Sequence, residues 1–395
     1  MKRIILASIL FICALPVHAQ RYPFIQRDKN YIQYPAGTSE EYKLFQRKLD
    51  TLLRSGASDV KVLHMGGSHV QGGTLTDRIR RRFLSLRYGI DGGRGLVFPF
   101  SAAGTNTPVS YNSSWQGRWE SATCLRPGEE ELGISGIVAT ALDTSARATI
   151  DLLLKEPQLL QQRYVFNKVD ILGEGSLEPV VILHGKDTVK GVKGPEICHF
   201  DLPYYTDWLQ ICFRGNGKYS LRGVYLDRPG TGFTMNEAGI NGASTNSWLN
   251  CGYLAEDLRR VRPDLVMFSI GINDIQGGDF DVVRFKANYR ALIREIRKVN
   301  PHCAFLFTGI NDSWRRGRGI NSHTEEAEKA FRDLAAEYKA VFWDWYEVMG
   351  GRGSMEKWQE AGLAQGDKVH FTPSGYRLVG DLLFEAIITD YYSGR

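Results

Sequence analysis

The chain has 395 residues, 43% of them hydrophobic and 24% charged, and its formal net charge of +5 falls to +3 once Lys2 and Arg3 are set aside. So small and dispersed a surplus excludes a protein built to hold nucleic acid, while the apolar content is enough for two domains with ordinary cores. Beyond the first nineteen residues the cysteines are Cys124, Cys198, Cys212, Cys251 and Cys303, an odd set without zinc-type spacing, so no metal is expected and a structural role is the default.

Lys2 and Arg3, the apolar run from Ile4 to Val17 and the small-residue end Val17-His18-Ala19 read as a secretory signal. The run is too short for a comfortable membrane span and nothing later approaches one, so export to the periplasm or beyond is expected, with no integral membrane segment after signal removal. Residues 20–38 read as a tail lying over the domain. From Ser39 the spacing of Tyr42, Phe45, Leu49 and Leu52 predicts an amphipathic helix.

Val60, Val62 and Leu63 form a short apolar run that predicts a buried parallel strand, broken at Gly66-Gly67-Ser68. A helix is then expected, with Thr74 as a possible cap, Asp77 in its first turn and Leu75, Ile79 and Phe83 on one face. Strand, glycine turn and helix place Ser68 at the carboxyl edge of a parallel sheet, where open α/β folds bind ligands; the alternative is a plain turn with a capping serine. Arg78, Arg80, Arg81 and Arg82 read as the solvated face of that helix, with contact to an anionic polymer as the lesser alternative.

Between about Thr105 and Arg228 helical periodicity is absent. Short segments rich in branched and aromatic residues predict some seven strands, at 134–142, 148–154, 164–172, 179–183, 196–202, 209–213 and 219–227, hence an inserted β-sandwich or jelly roll. Cys198 and Cys212 fall in neighbouring segments and are candidates to pair. The α/β alternation then resumes, with strands ending at Ile240-Asn241-Gly242-Ala243 and Gly271-Ile272-Asn273-Asp274, a helix over 282–299, and the sequence Asp367-Lys368-Val369-His370 before a closing helix. The expected plan is a signal at 1–19, an α/β domain at 20–104 and 229–395, and the β-insert at 105–228, with carbohydrate binding as one reading of the insert.

Ester hydrolysis needs an activated hydroxyl, a base for its proton, a group that orients the base and donors where the oxyanion forms. Ser68, His370, Asp367, Gly242 and Asn273 supply one candidate for each, all at strand ends or in the last loop. In these four blocks the sequence resembles the SGNH (GDSL-type) hydrolase family. The resemblance implies a flavodoxin-like three-layer α/β/α fold and no cofactor. It makes Ser68 the nucleophile, His370 the base and Asp367 its partner, with the Ser68 N–H, Gly242 and Asn273 forming the oxyanion hole. Gly67 stands where the family usually has aspartate. Ser68-His69 and an insert between the first two blocks also resemble the peptidoglycan O-acetylesterase branch, which implies an acetylated glycan as substrate.

His69 is read either as a substrate contact or as a structural hydrogen-bonding group. Trp115 and Trp119, with Tyr204, Tyr205 and Trp208, are read as sugar-stacking surfaces or as sandwich core. An O-acetyltransferase using the same triad, or an inactive glycan-binding protein, are the alternatives to an esterase.

Overall fold

The computed structural model describes residues 22–129, 131–153, 164–315 and 318–394; the expected signal at 1–19 lies outside them. Five strands, β1 (Val60–Gly66), β2 (Phe233–Gly239), β3 (Leu265–Ser269), β4 (Ala304–Phe307) and β5 (Val341–Phe342), make one sheet in the order 2-1-3-4-5. Every neighbouring pair is parallel, which is the flavodoxin-like arrangement. The strands are apolar throughout because helices cover both faces.

Among the helices are α1 (Glu40–Ser55), α2 (Ser68–Gln71), α3 (Thr74–Leu84), α4 (Leu254–Val261), α5 (Val282–Val299), α6 (Thr324–Glu337) and α7 (Pro373–Ser393). One layer is α1, α3 and α7, joined by Tyr391 Oη to Asp50 at 2.9 Å and by Arg78 to Asp381 at 2.8 Å. The other is α4, α5 and α6. There Phe285, Tyr289 and Phe331 close over Phe268 and Phe307 of the sheet, each buried ring contributing on the order of 2 kcal/mol or more. Residues 22–38 do lie over this domain: Gln33 exchanges backbone bonds of 2.8 and 3.0 Å with Phe342 and so covers the β5 edge. Among the described residues no helix is long and apolar enough to cross a membrane.

The stretch between β1 and β2 carries two antiparallel sheets, one seven-stranded and one five-stranded, which meet through Trp119, Phe213 and Tyr219. The seven-stranded sheet also takes in Gly95–Val97, paired with Tyr219–Asp227. Two strands that periodicity did not signal, Asn112–Gln116 and Trp119–Thr123, are outer strands of polar composition. Thr74 is not a cap, since it is the first helical residue and Gly73 precedes it in a left-handed conformation.

The arginine run is not a solvated face. Arg80 is fully buried, 3.1 Å from Asp77 and 3.6 Å from Glu237, and it donates to the Met235 carbonyl. Arg81 pairs with Asp77, and Arg78 and Arg82 pair with Asp381, so the run binds α3 to its neighbours rather than to a polyanion. Arg94, also buried, meets Glu237 at 2.7 Å and Ser110 at 2.8 Å. Arg222, on the antiparallel strand Tyr219–Asp227, reaches Asp257 of α4 at 3.3 Å and lies 4.0 Å above the Tyr253 ring. Arg260 of α4 returns the contact, pairing with Asp170 and, at 2.7 Å, with Asp227. Arg94, Arg222 and Arg260 thus meet carboxylates across the junction between the parallel and antiparallel regions, while Arg80 is paired within the parallel one.

Removing one partner of such a buried group strands the other without solvent. Glu237→Gln, which leaves both Arg80 and Arg94 short of charge, should cost about 3–5 kcal/mol in urea unfolding. A loss under about 1 kcal/mol would mean that water reaches this network.

Candidate active site

The site is built where β1, β2 and β3 end. A Cβ on Gly66 would stand 2.3 Å from Val70 Cγ2, and one on Gly239 would stand 2.4 Å from the Gln71 nitrogen. Only bare backbone at both positions lets α2 lie down on the strand ends, with Ser68 as its first residue. Gly67 has the same property toward the other blocks. A Cβ there would be 3.0 Å from Asn273 Nδ2, 3.4 Å from the Ala243 carbonyl and 3.7 Å from the Ile240 carbonyl. The three strand-end loops therefore converge on the residue before the serine. A Cβ at 67 would require the Asn273 amide to give way slightly.

Ser68 Oγ and His370 Nε2 are 2.8 Å apart, and His370 Nδ1 is 2.7 Å from Asp367 Oδ2. Asp367 Oδ1 accepts from the N–H groups of Val369 and His370, at 2.9 and 3.0 Å. Partial burial pulls the Asp367 carboxyl upward, but these bonds and the imidazole outweigh it and hold the carboxyl below its ordinary value. An ionised Asp367 makes His370 Nδ1 the protonated nitrogen, so the Nε2 lone pair faces the serine hydroxyl. The loop carrying the pair is held on several sides. Lys368 sits at φ 54 with its ammonium 3.6 Å over the Trp314 ring, Asn311 Nδ2 donates to the Val369 carbonyl at 3.1 Å, and Thr372 caps α7 ahead of Pro373.

The other loops carry the candidate donors, with Asn273 Nδ2 beside Gly67. Asn273 Nδ2 donates to the Ala243 carbonyl at 2.9 Å, which fixes its amide and leaves its second N–H for another acceptor. Among the described residues, no backbone carbonyl takes the N–H of Ser68 or of Gly242. Asp274 accepts from the N–H and, at 2.6 Å, the hydroxyl of Thr245, tying the second loop to the third. Beside Asn273 opens a polar cavity of about 380 Å³, lined by Ser244, Asn246, Asp274, Phe280 and Arg284 among others.

Of the remaining residues singled out from the sequence, His69 corrects the substrate-contact reading. It is 3% exposed, its Nδ1 lies 2.7 Å from Tyr376 Oη, and its ring packs among Trp345, Phe371 and the ring of His370. Trp115 is 52% exposed, whereas Trp119 packs on Phe213 and belongs to the core margin. Cys198 and Cys212 lie in different sheets and do not pair; all five cysteines are free and buried. Sequence reasoning missed Asn311, Tyr376, Gln71 and Asn106. Only Gln71 carried a local signal, its place one helical turn beyond Ser68.

Burial, followed by the neighbouring His370, pushes the His69 imidazole down to about 3. The unfolded chain therefore takes up a proton below the ordinary histidine value while the folded protein does not, and stability is lost as pH falls from about 6.5 toward 3. Relative to His69→Gln, the wild type should lose about 1.4 kcal/mol per pH unit in that window, read from urea midpoints at pH 6.5 and 4.5. Parallel curves for the two proteins would show that His69 is protonated in place.

The GDSL-like lipase/acylhydrolase family model matches residues 209–378, a span that includes Gly242, Asn273, Asp367 and His370 but begins after Ser68. Among solved structures the chain is similar to one described as a peptidoglycan O-acetylesterase in action, at 23% identity and a TM-score of 0.75, over 92% of this chain and 99% of that one. It is also similar, over a smaller part, to an acetyl xylan esterase: 21% identity, TM-score 0.33, 39% of this chain and 81% of that one. A carbohydrate esterase of family 3 from Talaromyces cellulolyticus gives 18% identity and a TM-score of 0.32, over 42% and 77%. No curated protein matches.

Proposed function

We propose that this chain is an SGNH-type, GDSL-like acylhydrolase and a carboxylic ester hydrolase, and that it removes O-acetyl groups from a glycan outside the cytoplasm, with peptidoglycan as the leading candidate. The observation that carries the reading is the hydrogen-bonded run Asp367–His370–Ser68, with the Asn273 amide beside Gly67, the residue before the serine.

In this mechanism Ser68 Oγ attacks the acetyl carbonyl as its proton passes to His370 Nε2. Asp367 stabilises the imidazolium, and the carbonyl oxygen, now anionic, is met by the N–H groups of Ser68, Gly242 and Asn273. Collapse breaks the bond to the sugar oxygen, which leaves with the proton from His370. Water, deprotonated by the same imidazole, then attacks the acetyl-serine and releases acetate, restoring the serine.

Three features support an acetylated glycan. The likeness to the structure described as a peptidoglycan O-acetylesterase runs nearly end to end. The cavity beside Asn273 pairs amides, a hydroxyl and carboxylates with the Phe280 ring, the mixture that sugars require. Trp115 stands exposed on an outer strand of the antiparallel region, which we assign as a glycan-presenting insert over 105–228, between α/β segments 20–104 and 229–395. The leader at 1–19 supports export.

Ser68→Ala should reduce turnover of a nitrophenyl acetate at least a thousandfold without altering the fold, and Asn273→Ala should lower kcat by roughly 10²–10³ with little change in KM. Activity within about tenfold of wild type in Ser68→Ala would assign the wrong nucleophile. For the insert, Trp115→Ala should slow release of acetate from O-acetylated peptidoglycan several-fold and spare the small ester, because remote binding energy acts only on the polymer. Equal effects on both substrates would remove Trp115 from glycan binding.

A further inference from the structure

The Gly242 N–H is useful as a donor only if its direction is fixed, and Gly242 itself does little to fix it. It is exposed, it sits at φ 82, and as glycine it has the widest conformational choice of any residue. What holds its loop comes from elsewhere. Gln71 is 2% exposed and accepts the Asn241 N–H on Oε1 at 2.6 Å. Asn241 is the residue immediately before Gly242, so this bond orients the chain that enters it. Gln71 Nε2 is itself held, donating to the Asn106 carbonyl at 3.0 Å, to Thr105 Oγ1 at 3.2 Å and to Asn106 Oδ1 at 3.3 Å. Asn106 Oδ1 also accepts from Asn241 Nδ2 at 2.6 Å. On the far side, Leu125 Cδ1 lies 3.4 Å from where a Gly242 Cβ would be.

Gln71, Asn106 and Asn241 thus close a triangle of amides. Gln71 stands one turn beyond Ser68 on the same short helix, so nucleophile and oxyanion loop are referenced to a single element. Asn106 and Leu125 both belong to the stretch read as a glycan-presenting insert. We infer that this stretch also completes the oxyanion hole, with Gln71 and Asn106 as positioning residues that aim the Gly242 N–H. The inference rests on the reading of Ser68 and Gly242 given above. Preorganised donors act on the developing charge and not on the ground state, so the cost of loosening them falls on kcat.

The test uses the full chain and a nitrophenyl acetate, which is too small to need a glycan site. Asn106→Ala, at an exposed position, and Gln71→Met, of similar volume without hydrogen bonds, should each lower kcat by about 10–30-fold with KM within about twofold. Because both act through the Asn241–Gly242 loop, the double variant should be no more than about threefold below the worse single, where independent losses would multiply. If Gln71→Met fails to fold, Asn106→Ala with Asn241→Ala serves as the pair, and circular dichroism certifies each variant. A folded Asn106→Ala within twofold of wild-type kcat, a loss confined to KM, or multiplicative losses would overturn the inference. Ser68→Ala is measured alongside: if it retains turnover, the reading of the site has failed, whereas if it is inactive and the amide variants are normal, only the positioning role has failed.

Discussion

Burying a guanidinium without a carboxylate costs several kcal/mol, and that constraint governs how the two halves of this molecule fit together. Arg80, Arg94 and Arg222 are each removed from water, and their partners Glu237 and Asp257 lie in segments far along the chain. Arg222 takes Asp257 from α4 and Arg260 takes Asp170 and Asp227 from the antiparallel sheet, so each side supplies carboxylates to the other. The antiparallel sheets and the parallel sheet are therefore one electrostatic unit, whatever their separate architectures suggest. Aromatic faces reinforce the junction, with Tyr253 under Arg222 and Tyr225 under Arg260.

From that junction the geometry of the site follows. Glu237 lies on β2, whose end at Gly239 must come close enough to α2 for a side chain to be excluded. Fixing β2 fixes the loop from Ile240 to Ala243, and the Ala243 carbonyl in turn holds the Asn273 amide. Ser68 and His370 meet from opposite ends of the sequence because β1 and the loop before α7 both finish at the same sheet edge. The strand order reverses between β2 and β3 around β1, so the crevice there is the place an open α/β sheet offers to a ligand.

Much of this was legible in the sequence, for identifiable reasons. Strand ends that break at Gly66-Gly67-Ser68 and Gly271-Ile272-Asn273 announce themselves by composition, as does the helix Val282–Val299. A parallel sheet was expected from the alternation of strands and helices, while the flavodoxin-like plan and the grouping of Ser68, His370 and Asp367 came from the resemblance to the SGNH family. What stayed hidden depends on partners distant in sequence. Four nearby arginines look solvated until Asp381 and Glu237 are brought beside them. Asn112–Gln116 and Trp119–Thr123 carry few branched residues because outer strands have little core to fill. Nothing in the order of residues signals that Gln71 Oε1 will meet the Asn241 N–H.

The place of β1 in the sheet has a kinetic consequence. Its two hydrogen-bonded neighbours, β2 and β3, both come after the whole antiparallel excursion, with Val60 registered against Phe233 and Val62 against Leu265. During synthesis the segment bearing Ser68 emerges early and waits, an apolar strand with both edges open, until the antiparallel region has been made and has closed the long loop between them. Pairing of parallel strands across so long a separation is intrinsically slow. The buried arginines give that step a checkpoint: until Arg94 and Arg80 find Glu237, the central strand is without its neighbour and the serine without its surroundings, so an assembled sheet edge at Ser68 reports that β2 has been brought into place.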